Sequence, residues 1–252
     1  MTTPRVVLAV LVAACLPQSA HASQSGERDA ALSAVMTVYV ERADPARHAE
    51  AFRGFKDLAA RYPGDYDLQI WCTRTSFYYA HRRVQNDDKK GCAGAARAGI
   101  DCSRRALKIR KDDYTARYWE LMNRMKAGAT LSIVSALKAV KPLKAQLERL
   151  IARDPNRFEG YLFLGMLYRE LPSLVSWGDD DKALVYVKKA ERLAPRDPDV
   201  LLEVAEAYYK LDNEAMAIAY FRKVARSDVS KHLEWETGDA RRWAKKRLKE
   251  IE

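Results

Sequence analysis

The 252-residue sequence is poor in glycine and proline, with 11 and 9 residues, which argues against β-rich or disordered structure and for helix. Histidine is scarcer still. His21, His48, His81 and His232 stand apart from one another, with no cysteine or carboxylate at metal-ligand spacing, so no metal centre or cofactor is expected. A glycine-rich phosphate loop, a GxSxG and an HExxH are all missing, which removes the sequence grounds for an enzyme. Asp179, Asp180 and Asp181 fall where a helix would begin. Carboxylates there stabilise its positive end, which explains them without a metal. The one sustained apolar run, residues 6–16, is too short to cross a bilayer as a permanent helix.

That run reads instead as part of an export signal over residues 1–22. Arg5 precedes it, Pro17 ends it, and Ala20-His21-Ala22 supplies a small-x-small cleavage pattern. A rival reading stays open: Val12-Ala13-Ala14-Cys15 resembles a lipobox, which would make Cys15 a lipid-bearing N-terminus. Either way the domain is expected outside the cytoplasm, in the periplasm, with membrane contact only through a lipid anchor. Residues 23–28 read as a polar, disordered linker and residues 29–252 as the folded domain. With 48% hydrophobic and 31% charged residues, the chain as a whole is globular in composition. The net charge of +10 gathers around Arg82, Arg104 and Arg241, but no nucleic-acid motif accompanies it. Solvated helix faces account for those clusters, so no nucleic-acid partner is expected.

The informative stretch is 154–229. Leu164, Gly165 and Tyr168, then Ala183, Ala190 and Pro195, follow one another at repeat-like spacing; Val204, Ala205 and Tyr208, then Ala217 and Phe221, begin the pattern again. This is the 34-residue tetratricopeptide pattern of paired helices. Its second-helix offsets recur at Ala51, Leu58 and Pro63 and at Leu143, Leu150 and Pro155. The expected fold is all-α, a tetratricopeptide-like superhelix of about five helix pairs, with a C-terminal capping helix over residues 237–252. The first helix is placed at residues 30–41. Pro142 predicts a break or kink near Val140.

Stacked pairs turn the first helix of each repeat toward a concave surface. Spacing places there Tyr66, Gln69, Thr73 and Phe77, then Glu120, Asn123 and Arg124, then Leu162, Met166 and Arg169, then Leu202, Glu206 and Tyr209. Such a mixed lining suits a peptide segment or an amphipathic small molecule, although each residue alone reads equally as a solvated helix face.

If the charged loop around residue 87 turns an antiparallel hairpin, Cys72 and Cys102 lie equidistant from its centre and face each other. They are expected to form a disulfide, leaving Cys92 free. Cys92 and Cys102 sit ten residues apart on one helix, about 15 Å, which is beyond disulfide reach. Three reduced, buried cysteines remain the alternative.

From Gly165 to Ala183 the chain runs six residues longer than the repeat pattern requires. The exported array, the break after its third pair, and the segments 165–172 and 177–183 resemble the tetratricopeptide T-component of tripartite ATP-independent periplasmic (TRAP) transporters, the TatT-like family. The resemblance implies an all-helical, usually lipid-anchored periplasmic protein that associates with a solute-binding subunit and holds a hydrophobic ligand in a channel; a homo-oligomer is a further possible partner state. It also implies that Pro172 and Trp177 edge that channel or a partner surface. The expected role is an accessory to solute uptake; the alternative is a general scaffold for envelope protein assembly.

Overall fold

In the computed structural model, eleven helices follow one another among the described residues: α1 (Gln18–Val40), α2 (Pro45–Arg61), α3 (Tyr66–Gln85), α4 (Lys89–Ile109), α5 (Tyr114–Gly128), α6 (Ile133–Arg153), α7 (Phe158–Glu170), α8 (Asp180–Leu193), α9 (Pro198–Lys210), α10 (Glu214–Ala225) and α11 (Glu234–Ile251). The structure describes residues 18–171, 178–228 and 234–251, and no strand occurs among them.

Helix starts are written in short polar side chains. Asp65 accepts from the Leu68 N–H, Asp113 from Ala116, Asp179 from Lys182, Asp197 from Val200 and Asn213 from Met216. Each satisfies a backbone donor that the first turn leaves unpaired. Pro45 and Pro198 occupy first-turn positions, where their missing N–H costs nothing. The tight turns between helices use Asp87, Asp112 and Asp212 at positive φ.

The helices pair as antiparallel hairpins that bury their apolar faces against the next hairpin. One continuous core joins α3, α5, α6, α7 and α8 through Phe77, Leu121, Leu147, Phe163 and Ala183. A second joins α8 to α11 through Val187, Val204, Phe221, Ala240 and Ala244. Gly165 matters because a Cβ there would meet Val187 Cγ1 at 2.6 Å and the Ala183 carbonyl at 3.2 Å. Gly99 plays the same part toward Asn123, whereas Gly94 on the same helix has open space around it. Cys72 on α3 and Cys102 on α4 are joined by a disulfide, with Cα atoms 6.1 Å apart, and Cys92 is a buried free thiol.

Two expectations need correction, and a third, the capping helix, holds but is incomplete. Helix α1 begins at Gln18, so residues 23–28 are helical and not a linker; Arg28 donates to Asp65 at 2.8 Å and Glu27 pairs with Arg61, tying the segment to the end of α2 and the start of α3. Helix α6 runs unbroken through Pro142. Pro142 is exposed, where water can take the carbonyl it leaves unpaired, while Val140, Leu143, Leu147 and Leu150 hold both halves in one core. Helix α11 does pack on α9 and α10, but it also reaches back to α3 and joins the last helix to the first half of the array.

The insertion leaves α7 and returns at α8 with its ends pinned together, the Asp179 N–H donating to the Tyr168 carbonyl at 2.9 Å. Pro172 and Trp177 lie outside the described residues, as does Cys15.

Candidate binding cavity

The first helices of four hairpins and the last helix of the chain enclose a cavity of about 1050 Å³. Helix α3 contributes Phe77, Tyr78, His81 and Gln85; α5 contributes Tyr118, Trp119, Met122 and Lys126; α7 contributes Leu162, Met166, Arg169 and Glu170. The opposite wall is Leu202, Glu203, Glu206 and Tyr209 of α9 with Asp239, Arg242, Trp243 and Arg247 of α11. Spacings of three and four residues recur on every helix because that is the period of one helical face. The result is a concave floor of aromatic and thioether groups crossed by charges.

Of the residues placed on the concave face by spacing, Phe77, Leu162, Met166 and Arg169 line the cavity, as do Leu202, Glu206 and Tyr209. Six do not. Tyr66 donates its hydroxyl to Asp113 beneath the Arg110 guanidinium. Gln69 is buried, donating to the Ala59 carbonyl at 2.7 Å and accepting from Arg105 at 2.8 Å. Thr73 and Asn123 are buried together, with Thr73 against Ser103 at 2.6 Å and the Asn123 amide donating to the Thr73 carbonyl at 3.0 Å. Glu120 is only 2% exposed and accepts from Arg117 at 2.8 Å and from Arg124 at 2.6 Å. These groups tie α2, α3, α4 and α5 to each other, because those helix faces point at neighbouring helices and not at the hollow.

Spacing did not reveal Tyr78, His81, Trp119, Met122 and Lys126, or anything on α11. The aromatic and cationic residue types were visible, but the face they occupy was not.

Two charge groups organise the walls. In the first, Arg169 reaches Glu203 at 2.7 Å, Glu170 at 3.0 Å and Glu206 at 3.6 Å. Glu206 also accepts from Trp243 Nε1 and from Arg247 Nε at 3.0 Å, which stitches α7, α9 and α11 together. Burial pushes the Glu203 carboxyl up even beside Arg169.

In the second, the Lys126 ammonium donates to His81 Nδ1 at 2.9 Å. An ammonium cannot accept, so that nitrogen carries the lone pair and the imidazole proton sits on Nε2, 3.3 Å from Asp239 Oδ2. Gln85 donates to the same oxygen at 3.0 Å. Burial pushes the His81 imidazole down. Burial also pushes the Asp239 carboxyl up, but hydrogen bonds from His81, Gln85 and Arg242 outweigh it and bring the group down to about 2.

This contact holds α11 against α3, and its sign with pH follows. A carboxylate lowered by folding adds stability above its unfolded range near 4, and loses it as pH falls through about 2. Replacing Asp239 with asparagine is expected to cost about 1 kcal/mol. It should also raise amide exchange along α11 while leaving α7 and α8 protected, read by hydrogen–deuterium exchange at neutral pH. Unchanged exchange along α11 would show that the contact does not hold the helix.

Among the described residues no helix is long and apolar enough to cross a membrane, and no group of three histidine, cysteine or acidic side chains could hold a metal. No protein-family model and no curated protein matches the sequence. The chain is similar in structure to the crystal structure of TTC0263, described as a thermophilic TPR (tetratricopeptide repeat) protein in Thermus thermophilus. Their TM-score is 0.62 at 15% identity, over 89% of this chain and 98% of that one. A crystal structure of MamA protein also matches, at 18% identity over 83% of this chain and 94% of that one, but its TM-score of 0.39 carries no argument. At such identities the likeness shows the fold alone: an all-helical tetratricopeptide-like superhelix, an architecture that presents a concave face for binding.

Proposed function

We propose that this chain is an exported, non-enzymatic binding protein that takes an amphipathic ligand or a segment of a partner protein into the cavity among α3, α5, α7, α9 and α11, as an accessory to solute uptake. The observation that carries the reading is the wall itself. Phe77, Tyr78, Tyr118, Trp119, Met122 and Met166 put apolar surface on the inside of a hollow, where it remains open to an occupant. Charged groups cross that wall, so an occupant with both apolar and polar parts meets complementary surface at each.

Export is supported by the signal-like residues 1–22 and by the Cys72–Cys102 disulfide, a bond that persists in oxidising compartments. Cleavage after Ala22 would shorten α1 and keep the contacts of Glu27 with Arg61 of α2 and of Arg28 with Asp65 at the start of α3. The T-component reading rests on the resemblance in segments 165–172 and 177–183.

Native mass spectrometry of the protein purified from its own envelope tests the proposal. The expected result is a processed chain, beginning after Ala22 or at an acylated Cys15, carrying a bound ligand or a solute-binding subunit. An unprocessed and unliganded chain would overturn it. Recovery of envelope-assembly proteins without a solute-binding subunit would point to the scaffold role.

A further inference from the structure

The cavity's cations are not equivalent. Arg169 is answered by Glu170, Glu203 and Glu206, Arg242 by Asp239, and Arg247 by Glu206 and Glu250. Lys126 has no carboxylate within salt-bridge distance among the described residues. Its ammonium has the neutral His81 Nδ1 at 2.9 Å and the Phe77 ring at 5.2 Å. One of its three protons is therefore committed to the imidazole, leaving two to be satisfied on a side chain that lines the hollow. Burial pushes this ammonium down by more than the Glu170, Glu203 and Asp239 carboxylates, none of them in contact with it, push it up. Met122 stands one helical turn away on the same face of α5, and Phe77, Tyr78, Trp119 and Met166 stand on the same lining.

Resting on the cavity-binding reading, we propose that Lys126 receives the carboxylate of a small amphipathic acid whose aliphatic or aromatic body lies along the Phe77, Trp119, Met122 and Met166 wall. A carboxylate supplies the acceptor oxygens that the ammonium lacks and satisfies the protons left by the imidazole. A single negative charge fits better than two. Glu170, Glu203 and Asp239 already raise the negative potential at Lys126, so a dianion would meet like charge at close range. The volume of about 1050 Å³ suits one ligand of this kind.

The test uses the mature protein and three probes that share a twelve-carbon chain: dodecanoate, dodecanol and dodecyltrimethylammonium, titrated calorimetrically below the micelle-forming concentrations of the two ions and the solubility limit of the alcohol. Dodecanoate is expected to bind about tenfold more tightly than dodecanol, the effect of one added charge-assisted contact. The trimethylammonium probe should bind more weakly than either. Lys126→Met should bring dodecanoate to the level of dodecanol while leaving dodecanol unchanged; Lys126→Arg should keep the preference. If Lys126→Met fails to fold, Lys126→Gln gives the same comparison, and the wild-type ranking of the three head groups needs no variant.

Equal affinity for dodecanoate and dodecanol, or a preference that survives loss of the ammonium, would overturn the assignment to Lys126 and leave the cavity as a binding site. Absence of binding by all three would overturn the amphipathic-ligand reading itself.

Discussion

Replacing Phe163 with alanine is expected to remove about 3–5 kcal/mol of folding stability, the cost of deleting a buried phenyl ring into a core that cannot fully collapse. Phe163 is 0% exposed on α7, in the cluster that includes Tyr118 and Leu121 of α5 and Leu147 of α6, and it meets Tyr118 edge-on with ring centroids 6.4 Å apart. The position lies mid-array, where the interfaces on both sides depend on α7. In a stack held by nearest-neighbour contacts, a cavity there weakens the link between halves as well as one hairpin. Urea unfolding followed by circular dichroism reads the loss. Val185→Ala, on the neighbouring helix but 64% exposed, should change stability by less than about 0.5 kcal/mol and serves as the comparison. Equal effects at the two positions would mean that α7 is not packed as described.

The hairpin containing Phe163 is also where the fold was most legible. Leu164, Gly165 and Tyr168 stand at their repeat positions, and close packing on Val187 leaves no room for a side chain at Gly165. With that register fixed, Leu162, Met166 and Arg169 fall on the concave face, and Ala205 does the same for Leu202, Glu206 and Tyr209. In α5 the corresponding place belongs to Leu121: Tyr118, Met122 and Lys126 stand at the offsets from it that Leu162, Met166 and Glu170 keep from Gly165. Counting from Asn123 instead moves every candidate by two residues. At 3.6 residues per turn that is about 200°, enough to exchange the cavity face for the face buried against α3 and α4.

In α3 the place belongs to Ala80, with Phe77, His81 and Gln85 at the same offsets; Gln69, Thr73 and Phe77 keep those offsets from Cys72, eight residues earlier. Neither a leucine nor an alanine announces itself as the close-approach position in an alanine-rich helical sequence. The wall supplied by α11 was hidden for a different reason. It depends on Asp239 meeting His81, 158 residues away, and local periodicity is silent on such a pairing. Periodicity places the start of α1 too late because residues 18–29 carry no apolar stripe; Arg28 and Glu27 fasten the helix there through ion pairs.

Removing the Cys72–Cys102 bond is the second large effect. It closes a loop with a sequence separation of 30, and the chain-entropy account assigns such a crosslink about 3–4 kcal/mol through restriction of the unfolded state. Both cysteines are buried beside Ala59, so reductant acts mainly on molecules that have opened. The cleaner comparison is Cys72→Ala with Cys102→Ala, which avoids burying unpaired hydroxyls. The double variant should lose that stability in urea, while wild type in reductant should approach the same midpoint only after prolonged exposure.

Alkylation separates the roles of the three cysteines. In a chain lacking residues 1–22, unfolding without reductant should expose one reactive thiol, Cys92, and unfolding with reductant should expose three. Native protein should react slowly, because Cys92 is buried and burial pushes its thiol up, leaving little thiolate to attack. Three alkylated cysteines before reduction in protein taken from its own envelope would remove the crosslink. The support that the disulfide lends to an oxidising compartment would go with it, and export would then rest on residues 1–22 alone.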